Sequence, residues 1–264
     1  MGFVYDTDVM LESVLSGFAD ISLAQLALIA AMALIASVIG GVAGYGTGAL
    51  MPLVLVPIVG AEPVVPILSL SALFTNTSRA TAFRHLIDRR RALIVLVAAV
   101  PTCALGAWGY TMLSGKGAAL VIGGMLIASV PLRRLMRRRG LALTDRSLAA
   151  ASFGWGPLAG GTVGAGIILL SLLMAAGLEG AAVVATDAVI SIGIGIAKFA
   201  TFGLAGAVNA TVIAVALLIG GVAFPGAFLA KAMVDRLPVH LHTALLDAVV
   251  IGGGVVMIAN AVAR

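Results

Sequence analysis

Two glycine-led stretches hold the residues from which chemistry can be argued: Gly46, Thr47 and Gly48 in GYGTGALMP (44–52), and Gly164 and Gly166 in TVGAGIILL (162–170). Alternate glycines followed by Pro52 break a helix, because glycine costs roughly 1 kcal/mol against alanine in a helix interior and proline about 3. A helix that restarts after such a break aims its first amides, and the positive end of its dipole, at whatever lies before it. Two such ends at one point suit an anion. Cations inside apolar runs point the same way: Arg79 in FTNTSRAT and Lys198 in SIGIGIAKFA. An intramembrane cation marks a pathway or a partner, although Arg79 lies close enough to its segment end to snorkel. Asn76, with its threonine and serine neighbours, offers donors to an oxyanion. Asp187 and Asp247 are the acidic counterparts; either can neutralise Lys198 or carry a proton, and an ion pair is the simpler role.

The elements that hold these residues must lie in a membrane. Of 264 residues, 61% are hydrophobic and 10% charged, against about 25% charged in an ordinary globular domain; the mean hydropathy is +1.18. The net charge of +5 comes from basic residues at the ends of apolar runs, which argues for topology and against nucleic acid as a partner. Long apolar segments run near 22–42, 63–84, 91–113, 117–135, 147–162, 180–204, 207–232 and 238–262, and short glycine-led ones at 44–60 and 164–178. The acidic stretch 1–21 has no Lys or Arg, so it lacks the basic region of a signal peptide and is expected to be retained.

The order of segments repeats. GYGTGALMPLVLVPIVGAE and TVGAGIILLSLLMAAGLE place Gly46/Gly164, Gly48/Gly166, Gly60/Gly177 and Glu62/Glu179 in register to within one residue. The expected fold is therefore an all-α polytopic membrane protein of two repeats, 22–140 and 141–264, each with four long helices and one short broken or re-entrant one. An odd number of crossings per repeat inverts the second copy. With ten crossings the basic loops around 84–91, 133–146 and 231–236 share one side, as cytoplasmic loops should. If the short segments dip and return, Lys231 and Arg236 move to the other side.

Enzyme readings find little support. His240 and His242 point to different helical faces, His85 and Asp88 share only a three-residue spacing, and the lone Cys103 excludes an internal disulfide and a cysteine-based metal cluster. No catalytic residue, metal or cofactor is expected.

The stretch Ile39–Arg91, IGGVAGYGTGALMPLVLVPIVG followed by a small-residue polar helix and a basic loop, resembles the TauE/SafE family of sulfite exporters and sulfonate-type permeases; the resemblance continues from GGTVGAGIILL through the second half. GYGTG stands where that family has a denser glycine run. The resemblance implies a secondary transporter of small sulfur-containing anions in the bacterial inner membrane, working by alternating access. Gly46, Thr47, Gly48, Asn76, Arg79, Gly164, Gly166 and Lys198 are then the substrate-binding candidates. A passive anion channel and a non-transporting membrane subunit are the alternatives. Expected partners are the anionic solute, the lipid bilayer and, as an option, a second copy in a homodimer.

Overall fold

The computed structural model describes residues 12, 14–43, 46–138, 142–233 and 239–263, without the side chains of 42–43, 133, 136–138, 227, 231, 233 and 239–248. Among them no strand occurs. The helices are α1 (Leu23–Ala43), α2 (Thr47–Val59), α3 (Val64–Ala82), α4 (Arg89–Thr111), α5 (Gly115–Arg138), α6 (Asp145–Gly161), α7 (Gly166–Ala175), α8 (Ala181–Leu204), α9 (Ala210–Ala223), α10 (Gly226–Met233) and α11 (Val239–Ala263), with one turn of 3-10 helix at Arg84–Leu86.

Five stretches among the described residues are long and apolar enough to cross a bilayer: Leu23–Gly41, Arg89–Thr111, Gly115–Leu132, Ala181–Leu204 and Ala210–Ala230. The last was expected as one helix, and it divides at Phe224–Pro225. Pro225 has no N–H and its ring clashes with the carbonyl one turn back. Carbonyls at the break are taken up from other helices: Ser37 Oγ donates to Ala223 O at 2.6 Å, and Ser78 Oγ donates to Phe224 O. That is how broken backbone survives away from water.

The core holds large apolar side chains such as Phe202, Ile29 and Met51, and the outer face of the bundle is apolar as well. On α4 and its C-cap residue Met112, the side chains of Leu93, Val97, Leu105, Trp108 and Met112 form an exposed stripe at helical spacing, whereas Ala92, Val95, Ala99, Cys103 and Ala107 face inward. Small residues inside let helices approach closely, and large apolar ones outside suit lipid. Cys103 is thus a packing residue. A Cβ added at Gly160 of α6 would overlap the Cys103 carbonyl, and one at Gly156 would overlap Thr102 Oγ1.

Contacts along the helices fix their directions. α4 and α6 run parallel, from Arg90–Asp145 (2.5 Å) to Thr102 Oγ1 donating to Phe153 O (3.0 Å) and on to Ala107 beside Gly160. α1 and α9 also run parallel, Gly17 lying against Ala210 and Ser37 against Ala223. α3 and α8 are antiparallel: Arg79 meets Asp187, and a Cβ at Gly195 would stand 2.9 Å from Leu73 and 3.3 Å from the Ser69 carbonyl. α5 and α11 cross antiparallel at Gly123 and Gly254.

The bundle has two ends. At the basic end, Asp88 N donates to Thr186 Oγ1 at 3.0 Å and Leu143 N to Ala175 O at 2.7 Å, so the loops near 84–91 and 142–145 lie together there. At the other end Tyr110 Oη donates to Ala61 O at 2.6 Å, and its ring meets Phe202 edge-on at 6.0 Å. α2, with 13 residues, spans ~20 Å and leads to this second end; α7, with 10, spans ~15 Å and leads to the basic end. Each falls short of a ~30 Å hydrocarbon core. The short helices therefore start inside the bundle and leave in opposite directions.

Candidate functional site

The alternate glycines have separate reasons. A Cβ at Gly46 would overlap the Ala36 carbonyl, so only glycine lets the chain fold back onto α1 there. A Cβ at Gly48 would stand 3.5 Å from the backbone nitrogen of Gly164, which puts the two glycine stretches in contact. Gly164 adopts φ +85°, a left-handed conformation that glycine takes without penalty. Trp155 of α6 steadies the second break, its Nε1–H donating to Ala165 O at 2.9 Å.

Neither α2, capped by Gly46, nor α7, capped by Ala165, has a side-chain hydrogen bond at its N-terminus. Ala49 N turns back to Gly46 O, and Ile167 N and Ile168 N to Gly164 O and Ala165 O, which leaves the amides of Thr47 and Gly48 at one start and of Gly166 at the other as donors at a positive dipole end. Both starts open on one cavity of about 160 Å³. A single water needs roughly 10–15 Å³ and drug-sized sites run ~300–1,000 Å³, so the space suits a small solute.

Gly46, Thr47, Gly48, Asn76, Arg79, Gly164, Gly166, Asp187 and Lys198 all line this cavity. Asp247 is on α11, and its side chain lies outside the described residues.

Charges in the cavity pair differently from the expected Lys198 neutralisation. Arg79 Nη2 lies 3.1 Å from Asp187 Oδ2 and also donates to Asn76 Oδ1, while Nη1 reaches Gly40 O at 3.5 Å. Antiparallel packing of α3 on α8 sets residue 79 opposite residue 187, whereas Lys198 lies three turns, about 16 Å, further along α8. Arg79 consequently does not snorkel: its side chain is 12% exposed. Lys198 Nζ instead donates to Thr162 O at 3.0 Å, at the C-terminal end of α6, where carbonyls attract cations. Asp187 Oδ1 has no hydrogen-bond partner among the described residues.

Sequence reading did not find Gly40, Trp155, Thr162 or Ser191, which also line the cavity. Ser191 had a signal: Asp187, Ser191, Ile194 and Lys198 recur at helical spacing on one face of α8. Thr162 and Gly40 contribute backbone carbonyls, which no residue type announces.

Comparisons with curated proteins and with solved structures give no match. A family model described as sulfite exporter TauE/SafE matches residues 29–257, a span that takes in both glycine breaks, both cavity cations and the helices that carry them, and the chain belongs to that family of membrane transporters.

Proposed function

We propose that this protein is a secondary transporter of small sulfur-containing anions, such as sulfite or an organosulfonate, which it moves by alternating access about the central cavity. One observation carries the reading: two uncapped helix N-termini, from corresponding places in the two halves, meet beside Arg79 and Lys198 in a single small cavity. Amides from both helix starts, with a guanidinium toward one end of the cavity and an ammonium toward the other, supply charge-assisted donors for a small oxyanion.

The two halves are read as inverted repeats. The parallel pairs α4–α6 and α1–α9 exchange with each other under a two-fold axis in the membrane plane, and the antiparallel pairs α3–α8 and α5–α11 map onto themselves. Half-helices leaving the cavity toward opposite ends support the same relation. Rocking of one half against the other then opens the cavity to alternate sides.

The test is counterflow. Proteoliposomes loaded with unlabelled methanesulfonate should accumulate labelled methanesulfonate faster than empty ones, as a carrier does. Conductance without such trans-stimulation identifies a channel instead. Absence of any flux with methanesulfonate and with sulfite rejects both.

A further inference from the structure

Asp187 is 2% exposed; its Oδ2 faces Arg79, while Oδ1 makes no well-formed hydrogen bond among the described residues, the Ser191 hydroxyl one turn along α8 being the side chain that can reach the carboxylate. Asp88, the other aspartate near this part of α8, differs. Its Oδ1 accepts from Arg91 N at 2.9 Å and its Oδ2 from Arg91 Nη1 at 2.6 Å. A bare carboxylate oxygen away from water is costly unless something joins it. Asp187 lines the cavity beside Arg79, which places the guanidinium within reach of a group bound there.

We propose that Asp187 is the proton carrier of the transport cycle. The inference rests on the anion-transport reading above. An incoming monoanion takes the Arg79 guanidinium away from Asp187. Were the carboxylate then to stay ionised, two negative charges would share the Arg79 guanidinium in a low-dielectric site, the Lys198 ammonium being held at Thr162 O three turns along α8. Oδ1 instead takes a proton from cavity water, and the Arg79 guanidinium stays protonated throughout. One anion and one proton enter together and the net charge of the site is unchanged, which keeps the loaded state no harder to move than the empty one.

The charged neighbours leave this task to Asp187. From α3 the facing group is Arg79 itself, held also by the Gly40 carbonyl of α1. On α8 the other is Lys198, three turns or about 16 Å of helical rise further on and bonded to Thr162 O. α4 brings Asp88 and Arg91, which pair with each other, and the 3-10 turn brings Arg84 and His85, whose side chains hydrogen-bond together at 3.2 Å. α6 and α7 bring Thr162 and the glycine turn at 164–166 to the same cavity.

The experiment uses the full chain in weakly buffered liposomes with a trapped pH dye, the membrane voltage clamped by potassium and valinomycin. Methanesulfonate stays ionised at any usable pH, so it cannot ferry protons itself. An inward methanesulfonate gradient should acidify the lumen of wild-type liposomes. In Asp187→Asn the protons moved per labelled anion should be lost, whatever the anion rate; Asp187→Glu should keep them. Infrared difference spectra of purified wild type, with minus without methanesulfonate, should show a protonated-carboxyl stretch that Asp187→Asn lacks. Anion uptake without acidification, a sodium requirement in its place, or a proton-to-anion ratio unchanged in Asp187→Asn overturns the proposal while leaving the transporter intact. Wild-type liposomes that take up no sulfonate count against the transporter reading, and the infrared band then decides Asp187 by itself.

Discussion

Lys198 donates its ammonium to the carbonyl of Thr162 at 3.0 Å, on the residue where α6 ends. A cation held by one carbonyl keeps other N–H groups to offer, and it is 8% exposed at the cavity wall.

Replacing Lys198 by Met keeps the length of the side chain and removes the charge. Losing a charged donor to a bound anion costs ~1.5–3 kcal/mol, or roughly 10–150-fold in affinity. The half-saturating concentration for methanesulfonate counterflow should rise by that factor, with Lys198→Arg intermediate. Equal affinities in wild type and Lys198→Met would reduce Lys198 to a clasp on α6.

Gly46 and Gly48 should respond differently to the same substitution. Gly46→Ala drives a methyl into backbone of α1, and overpacking costs ~1–3 kcal/mol, so its thermal midpoint in detergent should fall. Gly48→Ala meets Gly164 at 3.5 Å, an ordinary contact, and should fold normally. Its methyl sits where the two helix starts converge, so anion affinity should drop without loss of stability. A Gly48→Ala variant that unfolds would mean the junction is packing alone.

The α4–α6 seam provides an internal comparison. Gly160→Ala runs into the Cys103 carbonyl, while a Cβ at Gly154 on the same helix meets nothing within 4 Å. Folded yield should collapse for the first, and the second should gain up to ~1 kcal/mol from its better helix propensity. Size-exclusion profiles and melting curves of the two proteins read the contrast.

Asp88 caps α4 at the basic end of the bundle. The hydrogen bond from the Arg91 amide, more than the Arg91 guanidinium, lowers its carboxyl below the ordinary value of 3.8, against a partial opposing effect of burial. The unfolded carboxyl binds protons more readily than the folded one. Stabilisation is therefore complete above about 3.8 and is lost as pH falls through the lower folded value. Asp88→Ala should cost ~1 kcal/mol at neutral pH. The gap to wild type should close in acid below 3.8, and a gap constant with pH would assign Asp88 no electrostatic part.

Much of the architecture could be read from residue order. Glycine and proline punctuate helices through backbone sterics alone, so both short helices and the turns at Gly60 and Gly177, each with positive φ, were visible. Pro225 carried the same signal inside an apolar run, and hydropathy hid it. Partner choice was less accessible. Arg79 pairs with Asp187 because α3 and α8 lie antiparallel in one register, a relation across 108 positions that no local pattern encodes. The same holds for Lys198 and the end of α6: lysine announces a need for an acceptor, and only packing selects which carbonyl answers.

Arg79 and Lys198 stand some three turns apart measured along α8, one toward each end of the bundle, each held by an acceptor on a different helix. The cavity therefore carries a positive side chain toward each of its ends. On the proposed cycle the polypeptide holds no one-way valve: net direction is set by the anion and proton gradients together.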